Sequence, residues 1–153
     1  MLLKQEQEHS ALKVLLVDDD AFVHEMLALL IDRNAFAMSS ARNVKEAMIA
    51  IANDPPDLIV TDAMMPGESG FHLIEWVKAD PHTRDIPIIL LTILQQPDGS
   101  VMDASGKADL TVTKPIYLSD ITSVLEQAKQ LLEYRKSTRE QWAEPQPSFT
   151  IVL

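Results

Sequence analysis

Four short, almost wholly apolar runs punctuate this chain, and each gives way to a polar residue. Leu12 to Val17 closes on Asp18 and Asp19, and Leu58 to Thr61 closes on Asp62. Ile88 to Leu91 closes on Thr92, and Leu110 to Thr113 closes on Lys114 and Pro115. Runs this short, rich in branched residues and bounded by turn formers, read as strands buried on both faces. Segments of helical period lie between them. Such alternation predicts an α/β fold, a doubly wound parallel sheet joined by right-handed crossovers. Polar groups at the C-terminal ends of parallel strands converge on the crevice where open α/β sheets hold ligands. Here they would gather carboxylates, a hydroxyl and an ammonium, a set suited to a divalent cation and a transferable phosphoryl group.

The remaining elements follow from periodicity and punctuation. Phe22, Met26, Leu29, Leu30 and Arg33 recur at helical spacing and predict the inward stripe of a first helix. Ala37 to Ala41 supplies a weaker second strand. Asn43 with Glu46 three residues on forms a capping box, opening a helix whose stripe is Val44, Ala47, Met48 and Ile51. Asp54, Pro55 and Pro56 end it. Pro66, Gly67 and Gly70 mark residues 64–70 as a loop. A third helix carries Phe71, Ile74, Val77 and Lys78 and stops near Asp80 and Pro81. Residues 97–106 hold at most a short helix. Ser119 is the expected cap of a last helix with stripe Ile121, Val124, Leu125, Ala128, Leu131 and Leu132, running to about Trp142. The expected organisation is an N-terminal extension over 1–11, one domain over 12–135, and a helix end with a tail or truncated linker over 136–153.

Bulk properties narrow the function classes. A chain of 153 residues can bury one real core. A formal charge of -10 argues against direct contact with nucleic acid or anionic lipid. With no cysteine, disulfides, thiolate chemistry and Cys zinc sites are excluded. His9, His24, His72 and His82 lack zinc-enzyme spacing and are each expected at the surface. No apolar run reaches the roughly 18 residues that a membrane span needs, and the first ten residues are too polar for a signal peptide. The expected location is the cytoplasm. No helix-turn-helix, cyclase or phosphodiesterase motif follows residue 119.

Asp18, Asp19 and Asp20 are consecutive, so where the chain curls at the strand end two of them can face the crevice. Asp20 is the expected N-cap of the following helix. Asp62 joins the others if the first and third strands are neighbours. Carboxylates this close repel one another, and a hard oxygen-seeking cation such as Mg2+ relieves that. The Thr92 hydroxyl could donate to a phosphoryl oxygen. The Lys114 ammonium could neutralise a carboxylate or phosphoryl oxygen as a mobile point charge, and a cis bond to Pro115 would aim it over the crevice.

In this order and spacing the segments "VLLVDDD", "LIVTDAMMPGESG", "IPIILLT" and "VTKP" resemble the receiver domain of two-component response regulators. The resemblance covers about residues 12–135. It implies a flavodoxin-like (βα)5 fold with strand order 2-1-3-4-5. It implies that Asp62 accepts a phosphoryl group from the phosphohistidine of a histidine kinase or histidine phosphotransfer protein, with Mg2+ as cofactor. Asp19 then resembles the direct metal ligand, Asp18 the second acid acting through water, and Met64 the residue whose backbone carbonyl completes the shell. Thr92 resembles the switch hydroxyl and Lys114 the lysine that contacts the phosphoryl group. The implied output is a protein-interaction surface, formed with an output domain or a downstream partner, in a signalling phosphoacceptor rather than a conventional enzyme.

Departures from the family pattern are specific. Thr111 stands where an aromatic residue usually accompanies the switch, and Ile93 follows Thr92 where a small residue is usual. Met64 and Leu94 are apolar at positions that can orient an attacking water, which predicts slow self-dephosphorylation. A dehalogenase-type phosphatase would need Thr or Val where Phe22 stands, and no cap domain fits. A receiver-like interaction module that works without phosphorylation is the alternative that Thr111 and Ile93 leave open.

Overall fold

A computed structural model describes residues 11–31, 35–92, 107–113 and 118–143. Strands β1 (Leu12–Val17), β2 (Phe36–Ala41), β3 (Leu58–Asp62), β6 (Ile88–Thr92) and β7 (Leu110–Thr113) form one five-stranded sheet. Its order is β2-β1-β3-β6-β7, with every neighbouring pair parallel. Counting only these strands, that is 2-1-3-4-5, a flavodoxin-like doubly wound sheet. Helices α1 (Ala21–Leu30), α2 (Val44–Asn53), α3 (Gly70–Ala79) and α4 (Leu118–Ala143) are the described helices. A short antiparallel ribbon, β4 (Met64–Met65) with β5 (Glu68–Ser69), follows β3.

The all-apolar strands are explained by burial on both faces. Successive side chains alternate across a strand, so Leu15, Val17, Ile59, Ile88 and Leu90 join the core under α2 and α3. Val14, Leu16, Leu58, Val60 and Leu91 join the opposite core under α1 and α4. Every residue of β3 and β6 is buried. Each apolar side chain among them contributes about 1.5–3 kcal/mol relative to exposure, so these two strands carry much of the fold's stability and have little freedom to shift.

The second helix matches its expected stripe, with Val44, Ala47 and Ile51 buried and the Asn43 side chain accepting from Glu46 N at 2.8 Å. The first helix does not. It buries His24 and Leu27, whereas Phe22 and Leu29 are 62% and 81% exposed. Asp20 fixes the phase by accepting from Phe22 N at 2.9 Å, which places His24 inward. A stripe chosen by hydrophobicity alone rejects that histidine, yet its nitrogens find partners at the strand ends. Arg33 lies outside the described residues. The segment expected as a loop after Asp62 instead pairs as the β4–β5 ribbon, turning at Gly67 with φ 71°. Ser119 lies inside α4 rather than capping it, because the helix already includes Leu118.

At the N-terminal edge of the sheet, Asp109 gathers three donors. Its carboxylate accepts from Ile88 N at 2.8 Å, Lys78 Nζ at 3.3 Å and Arg135 Nη2 at 2.9 Å. Helices α3 and α4 are thereby tied to the base of β6 and β7. Helix α4 has 26 residues, about 39 Å at the usual rise, and runs unbroken past residue 135. Among the described residues, no helix is long and apolar enough to cross a membrane. Residues 97–106, the N-terminal extension over 1–11 apart from residue 11, and the tail beyond 143 lie outside the description.

Candidate functional site

The site is built by strand register. Val17 stands opposite Thr61 in the β1–β3 ladder, so the next residues, Asp18 and Asp62, emerge side by side. With Asp19 they bring carboxylate oxygens within 4.8 Å of one another. Asp18 is fully buried, Asp62 is 8% exposed, and Asp19 faces solvent. The cluster thus runs from a fully buried acid, through one that is nearly so, to one at the rim.

Local backbone contacts hold these acids. Asp18 N donates to Ala41 O at 3.1 Å, at the end of β2. Asp18 Oδ1 accepts from Asp20 N at 2.9 Å, while Asp20 caps α1. Asp20 is thus a cap, as its position suggests, and not a member of the cluster. Asp62 Oδ1 accepts from Met64 N at 3.4 Å, so the ribbon folds back toward Asp62. Ala63 N donates to Leu91 O at 2.8 Å, continuing the β3–β6 ladder past Asp62.

The ribbon is itself clamped. Glu68 Oε2 accepts from Val44 N at 2.7 Å, filling an open donor at the start of α2. Gly70 N donates to Ala63 O at 2.9 Å. A Cβ on Gly70 would lie 1.9 Å from the Asp62 carbonyl oxygen, so glycine alone lets α3 start against the backbone of Asp62.

Thr92 is fully buried at the end of β6, one residue beyond the Asp62–Leu91 pair and opposite Thr113. It is therefore on the same edge as the carboxylates. Met64 is 54% exposed at the ribbon's start. Lys114, Pro115, Ile93 and Leu94 lie outside the described residues. Thr111 is exposed on β7.

The donor set fits a hard divalent cation. Three carboxylates converge, all offering oxygen, and like charges this close gain from a shared positive ion. Asp18, Asp19 and Asp62 could hold Mg2+.

Three positions that contact the site's backbone or brace its ribbon escape a reading of the sequence. His24 is 8% exposed, not a surface histidine, and bonds the Asp18 carbonyl. Its inward phase with Leu27, fixed once Asp20 is recognised as the cap, is the signal that could have found it. Gly70 and Glu68 hide in a segment that reads as loop, although a glycine at the start of a helical pattern is a hint of close approach. His72 and His82 are exposed as expected.

Comparison with known proteins agrees with the geometry. A family model described as "Response regulator receiver domain" matches residues 14–126. The phosphate regulon transcriptional regulatory protein PhoB of Pseudomonas aeruginosa is 38% identical over 102 residues, covering 67% of this chain and 44% of that protein. The chain thus spans under half the length of that relative. Among solved structures, the signal receiver domain of a signal transduction histidine kinase from Syntrophus aciditrophicus is 31% identical with a TM-score of 0.69, covering 94% of this chain and 100% of that one. A response regulator from Chloroflexus aurantiacus is 27% identical with a TM-score of 0.69, covering 80% and 98%.

Proposed function

The chain belongs to the response regulator receiver domain family, and from that premise we propose that Asp62 is its phosphoacceptor, charged from the phosphohistidine of a histidine kinase or histidine phosphotransfer protein. The observation that carries the reading is the convergence of Asp18, Asp19 and Asp62 oxygens within 4.8 Å. Of the three, Asp62 combines a fixed backbone at the end of the central strand with a small residual exposure of 8%.

An Asp62 carboxylate oxygen attacks phosphorus in line with the imidazole nitrogen. The P–O bond forms as the P–N bond breaks, and the electron pair leaves on the imidazole. The phosphoryl oxygens carry the developing charge, so the chain's part is positioning and electrostatic stabilisation. The Thr92 hydroxyl donates to one phosphoryl oxygen and the Lys114 ammonium offsets charge on another. Asp19, Asp62 and the Met64 carbonyl would hold Mg2+, with Asp18 acting through water. When bound, the ion supplies positive charge against both the carboxylates and the incoming phosphoryl group.

The product is an acyl phosphate in a crevice already rich in negative charge. Thr92 is drawn toward it, and the equilibrium between two arrangements of a protein-interaction surface shifts. The location that fits such an exchange with a kinase is the cytoplasm. The working domain is residues 12–135.

The test is phosphorylation by a small phosphodonor with and without Mg2+, read by intact mass on the wild type and Asp62→Asn. A Mg2+-dependent gain of one phosphoryl group, lost in the variant, is expected. No gain with either the small donor or a kinase would favour the interaction module that needs no phosphorylation.

A further inference from the structure

We propose that His24 is a positioning residue for the acidic cluster, holding the backbone of Asp18 through its carbonyl. The inference rests on the phosphoacceptor reading and deepens it, since it concerns how that site is kept in shape.

His24 sits in the first turn of α1 and is 8% exposed. Its Nε2 lies 2.7 Å from the Asp18 carbonyl oxygen, in a buried contact. A carbonyl only accepts, so Nε2–H is the donor whichever protonation state the ring adopts. Nδ1 lies 3.0 Å from Ser40 Oγ. A hydroxyl both donates and accepts, so it suits either form of Nδ1. The imidazole therefore bridges the end of β1 to the end of β2.

That bridge completes a set of restraints. Asp18 N is tied to Ala41 O and Asp18 Oδ1 to Asp20 N. The His24 bond fixes the carbonyl, leaving the peptide between Asp18 and Asp19 little freedom to rotate. That peptide sets the direction of the Asp19 carboxylate relative to Asp62. Mutual repulsion among three carboxylates works to splay this strand end, and the tether opposes it. The helix position itself is a buried one, like that of Leu27. A buried ring with two polar nitrogens costs free energy there unless both are paired, so the two bonds are what make histidine tolerable at this site.

The test uses the full chain and two amides of different reach. The amide nitrogen of glutamine falls near the Nε2 position and can reach the carbonyl, whereas that of asparagine falls near Nδ1 and cannot. Mg2+ affinity is measured by amide chemical-shift titration, and hydrogen exchange of the Asp18 and Asp20 amides is measured without metal. His24→Gln is expected within about threefold of wild type, and His24→Asn about tenfold weaker in Mg2+ binding. The two amides should exchange about tenfold faster in His24→Asn.

An Asn variant matching wild type in both measurements would overturn the proposal, as would a Gln variant as impaired as the Asn one. If neither variant folds, Ser40→Ala decides, since Ser40 is exposed. It should weaken Mg2+ binding about threefold by loosening the ring, and an unchanged affinity there also overturns the proposal. A wild type that binds no Mg2+ would instead count against the phosphoacceptor reading, and the metal-free exchange comparison would still decide this one.

Discussion

Replacing Gly70 with alanine should damage both stability and chemistry, and the structure says by how much. The new Cβ would stand 1.9 Å from the Asp62 carbonyl oxygen, 2.9 Å from its carbonyl carbon and 3.2 Å from Thr61 Oγ1. The first distance falls about 1.5 Å short of the 3.4 Å at which ordinary contact begins. Neither partner yields cheaply. Asp62 ends the central strand in register with Leu91, and α3 is seated by buried Leu73, Ile74 and Val77. Overpacking costs about 1–3 kcal/mol, and a backbone obstacle puts this case near 3 kcal/mol. For a chain of this size the melting midpoint should fall by about 6–12 °C. A displacement near 1 Å at the acceptor should slow phosphorylation about 100-fold.

Gly67→Ala is the control. Gly67 has φ 71° with nothing within 4 Å of its would-be Cβ, so alanine there meets backbone strain of about 1–2 kcal/mol and no clash with Asp62. Circular dichroism melts and initial rates with a small phosphodonor separate the two. A Gly70→Ala protein that melts within about 2 °C of wild type, against the size expected of overpacking, would refute the steric argument. Equal rate losses in both variants would refute the link to Asp62.

Other expectations are more local. Asp109→Ala strips partners from Lys78, Arg135 and Ile88 N. It should destabilise the fold by about 2–3 kcal/mol in denaturant titration; a change within error would mean solvent replaces those bonds. The Asp80 carboxyl is held below the usual aspartate range, first by the His82 backbone N–H and then by its ring. Stability from this depressed group is present above the unfolded value near 3.9 and lost as pH falls through the lower folded value. His82→Ala keeps the larger cause, so most of the depression should survive in a carboxyl NMR titration; full reversion would show that the ring dominates. The phosphorylated protein should lose its phosphoryl group slowly, because Met64 and Leu94 cannot orient water. A half-life of seconds in pure protein would contradict this.

Much of the architecture is written in the strands. β3 and β6 are buried throughout, and their apolar runs give way to polar residues only at the C-terminal end, at Thr61 and Asp62 in one and Thr92 in the other. That is why Asp18, Asp62 and Thr92 were identifiable as edge residues before their register was known. Helix phase was harder. In α1 the inward position goes to His24, which pairs with the Asp18 carbonyl just past β1 and with Ser40 in β2, partners that hydrophobic periodicity does not register. Residues 64–70 read as loop because their order comes from two-residue strands, Glu68 bonding to α2, and Gly70 against Asp62. Ser119 is not a cap, because the helix already includes Leu118.

The acidic cluster has a thermodynamic consequence. Asp18 and Asp62 belong to strands that meet only when β1 pairs with β3. Their mutual repulsion is therefore a property of the native chain and is almost absent from the unfolded one. A cation gripped by those oxygens selects the native state, and mass action converts occupancy into stability, about 2.7 kcal/mol at a concentration one hundred times Kd. The cluster thus acts as a reversible crosslink between the first and third strands, and the fold is firmest in the state that is ready to react.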